Sequence, residues 1–293
     1  MRWIAIAAIA LLGGARSDLT PSQLTVVASD IQGATLKAQG PVHEKGYASG
    51  YQRSFTFSSP NGSSGLVFFE SEALVAPTIA RAANDVVAVR SALSKPAGRA
   101  AFIASIAANL KVKPTQVKPG ALRSVRVGDS SVELPVSVQL STRRVYESLA
   151  YVQLDRVVSV IVSAGIRPIA AADTRRIAAA GVKHVNAALT PQPFSKPAVS
   201  GDAQVGSMLT ATPGTWSDST AKFVYQWQRC DASGANCVAI TGANDPSYTA
   251  VDEDAGSTLR VEVTATNRFG SAKADSDVTV VVVTVPPPQL SLR

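Results

Sequence analysis

The chain has 293 residues, 17% charged and 46% hydrophobic, with a formal net charge of +7. This composition excludes a disordered polyelectrolyte, and the length suits two domains of ordinary size. Two histidines and two cysteines leave few residues for metal or nucleophile chemistry.

The first predicted element is a leader over residues 1–17. Met1 and Arg2 give a basic start, Trp3 to Leu12 is an unbroken apolar run, and Ala15-Arg16-Ser17 offers small residues where a signal peptidase cuts, before Asp18. About ten apolar residues are too few for a hydrocarbon core that needs about 20. No cysteine follows the run, so no lipid anchor is expected. The mature protein is expected to be secreted, extracellular or associated with the cell envelope, without a transmembrane anchor.

Residues 18–189 predict an α+β domain. Tyr51–Phe57 and Leu66–Leu74 flank Pro60-Asn61-Gly62-Ser63-Ser64-Gly65, which has the turn chemistry of a hairpin. Helical spacing follows: Ile79, Ala82, Val86, Val89 and Leu93 form one stripe, and Phe102, Ile103, Ile106 and Leu110 another, with Lys95-Pro96 as the break. Strand signal returns in Val132–Leu140, Arg144–Leu154 and Val157–Ser163, joined by short turns that favour antiparallel pairing. A last helix is expected from Asp173, a good N-cap, with Ile177, Val185, Ala188 and Leu189 inward. Helices covering an antiparallel sheet make an α+β layer. This order of elements across residues 20–190 resembles the PsbP-like α/β/α sandwiches of exported actinobacterial lipoproteins and kinase sensor domains.

Residues 190–197, Thr-Pro-Gln-Pro-Phe-Ser-Lys-Pro, hold three prolines in eight positions and read as an extended linker. Charge changes across it. Residues 18–193 hold 19 Lys/Arg and 11 Asp/Glu, net +8, whereas residues 194–293 hold 7 and 10, net −3. The basic character belongs to the first domain, and Arg143, Arg144, Arg175 and Arg176 are its candidate contacts for a polyanion. The expected partner is an anionic cell-envelope polymer or polysaccharide. Export and the lack of basic–aromatic stacking motifs argue against nucleic acid.

Residues 198–285 predict an all-β sandwich. Phe223, Tyr225 and Trp227 alternate with polar residues, and so do Leu259, Val261, Val263 and Ala265. Tyr225, Trp227, Leu259 and Val261 are the expected core. Val280–Val283 is only strand length, and Pro286-Pro287-Pro288 opens a proline-rich tail over 286–293. Cys230 and Cys237 lie in one short loop, and in an exported chain they are expected to pair. Zinc is the alternative, but two cysteines with no histidine nearby cannot complete a tetrahedral site. The stretches Val205–Trp216, Tyr225–Asp231 and Asn267–Ala272 resemble the Ig-like modules of secreted and surface proteins of actinobacteria. That resemblance implies a display or adhesive module, here lacking the inter-sheet disulfide of antibody domains.

Catalytic groups are scarce. No serine lies in a Gly-x-Ser-x-Gly elbow. His43 and Glu44 are at most half of a metal site, in keeping with a solvated loop pair. His184 borders the apolar stripe of the last helix. Glu70 and Glu72 alternate on one strand face, where edge charges on a solvated sheet are the expected cause and acid catalysis the alternative. Asp252-Glu253-Asp254 clusters hard oxygens but lacks EF-hand spacing, so a tight turn is expected rather than calcium. Asn61-Gly62-Ser63 matches a glycosylation acceptor and reads as a turn. No catalytic, metal or cofactor site is therefore expected. The leading expectation is a non-catalytic binding or adhesion protein, and the alternative is a polysaccharide-active enzyme or enzyme accessory.

Overall fold

The computed structural model describes residues 19–62 and 65–284. The expected leader and tail lie outside the described residues, as does Ser63. Two compact units make up the chain, Met1–Ala188 and Leu189–Arg293.

The first unit is built on a seven-stranded antiparallel sheet. Its strands are β1 (Ala34–Pro41), β2 (Ser49–Asn61), β3 (Leu66–Val75), β4 (Val117–Pro119), β5 (Ser130–Gln139), β6 (Arg144–Leu154) and β7 (Val157–Gly165). Their spatial order is β1-β2-β3-β7-β6-β5-β4. The helices are α1 (Ile79–Ser94), α2 (Pro96–Leu110) and α3 (Ala171–Leu189). Strand β7 is central and buried almost throughout, which explains its near-continuous apolar run.

Alternation divides the sheet into two faces. On one face, Phe55, Phe69, Ala150, Val152 and Ile161 pack against Ile177 and Ala178 of α3 and against Val26 and Ile31 ahead of β1. On the other, Leu134, Val136 and Val138 of β5 meet Leu93 of α1 and Phe102 and Ile106 of α2. Ala82 of α1 packs on Leu74, Val158 and Val160. Thr78 caps α1, its hydroxyl accepting from the Arg81 amide at 3.1 Å. Gly98 permits the sharp turn into α2, since a Cβ there would collide with the Ala92 carbonyl.

Helix α3 starts earlier than Asp173. The Ala170 carbonyl accepts from the amides of Asp173 and Thr174, so Asp173 lies inside the first turn and is only 6% exposed. There its charge faces the positive end of the helix instead of capping it. Strands β1 and β4, which carry no clean alternation, were not legible in the sequence.

The second unit has two antiparallel sheets. One runs β11 (Val238–Ala239), β10 (Lys222–Cys230), β13 (Thr258–Asn267), β14 (Gly270–Asp275), and the other β12 (Ser247–Thr249), β9 (Met208–Thr212), β8 (Ala198–Ser200). Trp227, Leu259, Val261 and Val263 of the first sheet share a core with Leu209 and Ala211 of the second. Trp227 is fully buried, and its ring lies 5.6 Å from that of Tyr248. Its indole N–H donates to the Asp245 carbonyl at 3.0 Å. Tyr225, expected in the core, is only partly buried and packs at its rim. Cys230 and Cys237 form a disulfide, closing the loop beyond β10.

The acidic run forms a 3-10 turn, Asp252–Asp254, but its last residue is not a solvated charge. Asp254 is fully buried. It accepts from Arg229 Nε at 2.6 Å, Tyr248 Oη at 2.8 Å and the Val251 amide at 2.9 Å. This network joins β10 of one sheet to β12 of the other. It supplements the Trp227 core where no cystine crosses between the sheets. The Val280–Val283 run forms no strand; Val283 makes one isolated bridge to Gln204.

Candidate functional site

Two features of the first unit stand out, an arginine-rich end of the sheet and an acidic patch on one of its faces. Arg143 and Arg144 occupy the exposed turn at the start of β6. Tyr146 pairs with Gly165, so this turn lies at the same end of the sheet as the exit from β7. The connection from β7 to α3 carries exposed Arg167, and the first turns of α3 carry exposed Arg175 and Arg176. Arg143, Arg144 and Arg167 thus share one end, but Arg175 does not: Arg144 pairs with Gln139 at the end of β5, whereas Arg175 reaches Val125, whose amide donates to Ser131 Oγ at the start of that strand. Both α3 arginines are partly committed: Arg175 donates through Nε to the Val125 carbonyl at 3.0 Å, and Arg176 lies 3.6 Å from Asp173 Oδ1.

The acidic patch corrects the reading of Glu70 and Glu72. Strand β3 is internal, between β2 and β7, so neither residue is an edge charge. Both are half-buried. They point to the face that carries Leu74, Val158 and Val160. Register sets Glu70 opposite Val162 and Glu72 opposite Val160, and on β6 Tyr151 lies opposite Val160. Burial pushes the Glu70 carboxyl up. Burial, then the charges of Glu44 and Glu70, push Glu72 up to about 7. Burial, helped by Glu72 and Glu44, holds Tyr151 at about 12. The His43-Glu44 loop is therefore close enough for Glu44 to act on Glu72, though His43 has no part in this.

Sequence reasoning missed Glu147. It lies on β6 opposite Ala164, which is itself opposite Phe68 of β3, one row along the same face from Glu70. It is 6% exposed, Oε1 has no hydrogen-bond partner, and burial alone pushes its carboxyl up to about 7. The signal was present: Val145, Glu147, Leu149 and Tyr151 alternate in one phase, which places a carboxylate in an apolar register.

Glu133, Asp85 and Asp30 are instead paired with donors. Glu133 on the opposite face is fully buried. It accepts from Arg123 Nε at 2.6 Å and Nη2 at 2.8 Å, from Ser148 Oγ at 2.6 Å and from Thr174 Oγ1 at 2.7 Å. It ties β5, β6 and α3 together. Asp85 of α1 accepts from Tyr47 Oη at 2.7 Å and Arg81 Nε at 2.9 Å. His184 Nε2 lies 2.7 Å from Asp30 Oδ2, a contact that fastens α3 to the segment before β1. Among the described residues, no group of three His, Cys, Asp or Glu side chains is placed to hold a metal ion, and no helix is long and apolar enough to cross a membrane.

No family model matches the chain, and no curated protein matches it. A solved structure, the extracellular domain of PknH from Mycobacterium tuberculosis, is similar at 9% identity with a TM-score of 0.35. The match covers 59% of this chain and 98% of that one.

Proposed function

We propose that this is an exported, non-catalytic binding protein whose first unit attaches to an anionic cell-envelope polymer or polysaccharide. The observation that carries the reading is the gathering of exposed Arg143, Arg144 and Arg167 at one end of the sheet, with Arg175 and Arg176 exposed on α3. Guanidinium groups remain charged at every physiological pH and match the geometry of carboxylate and phosphate groups. A +8 first domain beside a −3 second one directs that attraction to a single unit. The Cys230–Cys237 disulfide suits an oxidising compartment, and the leader over 1–17 would supply the export. The second unit is an Ig-like module in this reading, with Trp227 at its centre and a display role. Hydrolysis by Glu70 and Glu72 is the weaker reading. Both come from one strand and one face, whereas glycosidase carboxylates flank the scissile bond from two sides.

The test is retention of the full chain on immobilised anionic polysaccharide along a salt gradient. Screening acts over about 8 Å at physiological ionic strength, so elution is expected well below 1 M salt, and earlier for the Arg143→Glu/Arg144→Glu variant. Retention that ignores both salt and charge reversal would refute the proposal.

A further inference from the structure

We propose that the acidic face of the first unit binds an organic cation, an ammonium or guanidinium group carried on an apolar body, in the patch formed by Glu70, Glu72 and Glu147. This site is separate from the arginine-rich end and does not depend on it. Four observations support it. First, the unit pairs other buried or partly buried carboxylates with donors: Glu133 with Arg123, Ser148 and Thr174, Asp85 with Arg81 and Tyr47, Asp30 with His184. Among the described residues, Glu70, Glu72 and Glu147 have no such partner, and Oε1 of both Glu72 and Glu147 is buried without a hydrogen bond. Burying an ionisable group unpaired is costly, and a bound cation would offset that cost.

Second, the three project from the same face in adjacent rows. Glu147 forms the deep end at 6% exposure, while Glu70 and Glu72 are half-buried and reachable. Third, the floor between them is apolar. Val162 and Ala164 of β7 separate the two acidic strands, with Leu149 and Phe68 beside them, while Val160 lies under Ala82 of α1. Such a floor suits the carbon skeleton of an amine better than a hydrated inorganic ion. Fourth, α1 and α2 pack chiefly on β4 to β7, and on this face Gln52, Ser54 and Thr56 of β2 and Phe68, Glu70 and Glu72 of β3 remain only partly buried, whereas Leu74 is covered. A ligand therefore has a way in. The carboxylates are spread across two strands with β7 between, and no three acids are placed for a metal. The fit is to a cation several ångströms long.

The experiment titrates the full chain with hexylammonium and hexylguanidinium, with hexanol and hexanoate as matched controls, and follows binding by calorimetry at neutral pH. Saturable binding of the two cations and none of the controls is expected. Glu70→Gln/Glu72→Gln should weaken it at least tenfold, and Glu147→Gln should do the same with the helical signal at 222 nm retained. Lys222→Gln, an exposed site in the second unit, should leave it unchanged. If Glu147→Gln fails to fold, the exposed-side double variant still decides the matter. Hexanol binding as well as the cations, or cation binding unmoved by the Glu70/Glu72 variant, would overturn the proposal. Co-sedimentation with phosphatidylethanolamine vesicles, competed by hexylammonium, would assign the cation to a lipid headgroup. Saturable hexylammonium binding without co-sedimentation would assign it to a free amine.

Discussion

The substitution Glu147→Gln should remove a large part of the pH dependence of the first unit's stability. In the folded chain burial raises this carboxyl from 4.5 to about 7. Below the unfolded value the group is protonated in both states and carries no penalty. As pH rises past 4.5 the unfolded chain releases its proton first, so stability falls, and the loss is complete above the folded value. Integrating those two values gives a loss of about 2.5 kcal/mol between pH 5 and pH 8. Glu72 titrates in the same direction, but it is half-buried, and solvent screening reduces its share. Glutamine keeps the shape and removes the titration, so all other groups cancel when variant and parent are compared.

The assay is urea denaturation at pH 5 and pH 8, followed at 222 nm. All three α-helices among the described residues lie in the first unit, so this signal reports that unit. The parent should lose about 2.5 kcal/mol more than the variant across the interval. Equal losses would show that Glu147 is not buried unpaired, and would refute the reasoning.

Three further outcomes are expected. Trp227→Ala should cost the second unit about 3–5 kcal/mol, because the fully buried indole leaves a cavity between two sheets. Trp216, buried in the same core, remains as the fluorescent probe; a fluorescence midpoint equal to the parent's would contradict this. Glu133→Ala should destabilise the first unit by about 3–5 kcal/mol, since it strands Arg123 beside two buried hydroxyls, and a shift under 1 kcal/mol at 222 nm would count against the network. Intact mass of protein exported to an oxidising compartment should show two protons fewer than the thiol form, with Cys230 and Cys237 refractory to alkylation until reduced.

The sequence by itself determined the elements with strong periodicity. The hairpin of β2 and β3, the meander β5–β6–β7 and the stripes of α1 and α2 were readable, because a half-buried strand or helix writes its period into the chain, although Ile79, expected in the α1 stripe, is exposed in the first turn. It also determined the disulfide, whose two partners lie close along the chain, and the central place of Trp227. Tertiary structure decided what no local window holds. Glu70 looked like a solvated edge charge because alternation shows that two residues share a face, not whether another strand lies beside them. Glu147 became its neighbour only when β7 paired with β3 on one side and β6 on the other. Arg143 and Arg144 meet Arg167 at one end because the antiparallel register returns Gly165 to Tyr146, whereas Arg175 lies by Val125 near the start of β5. Periodicity is a property of one segment, whereas burial and proximity belong to pairs of segments, and only the folded sheet fixes those.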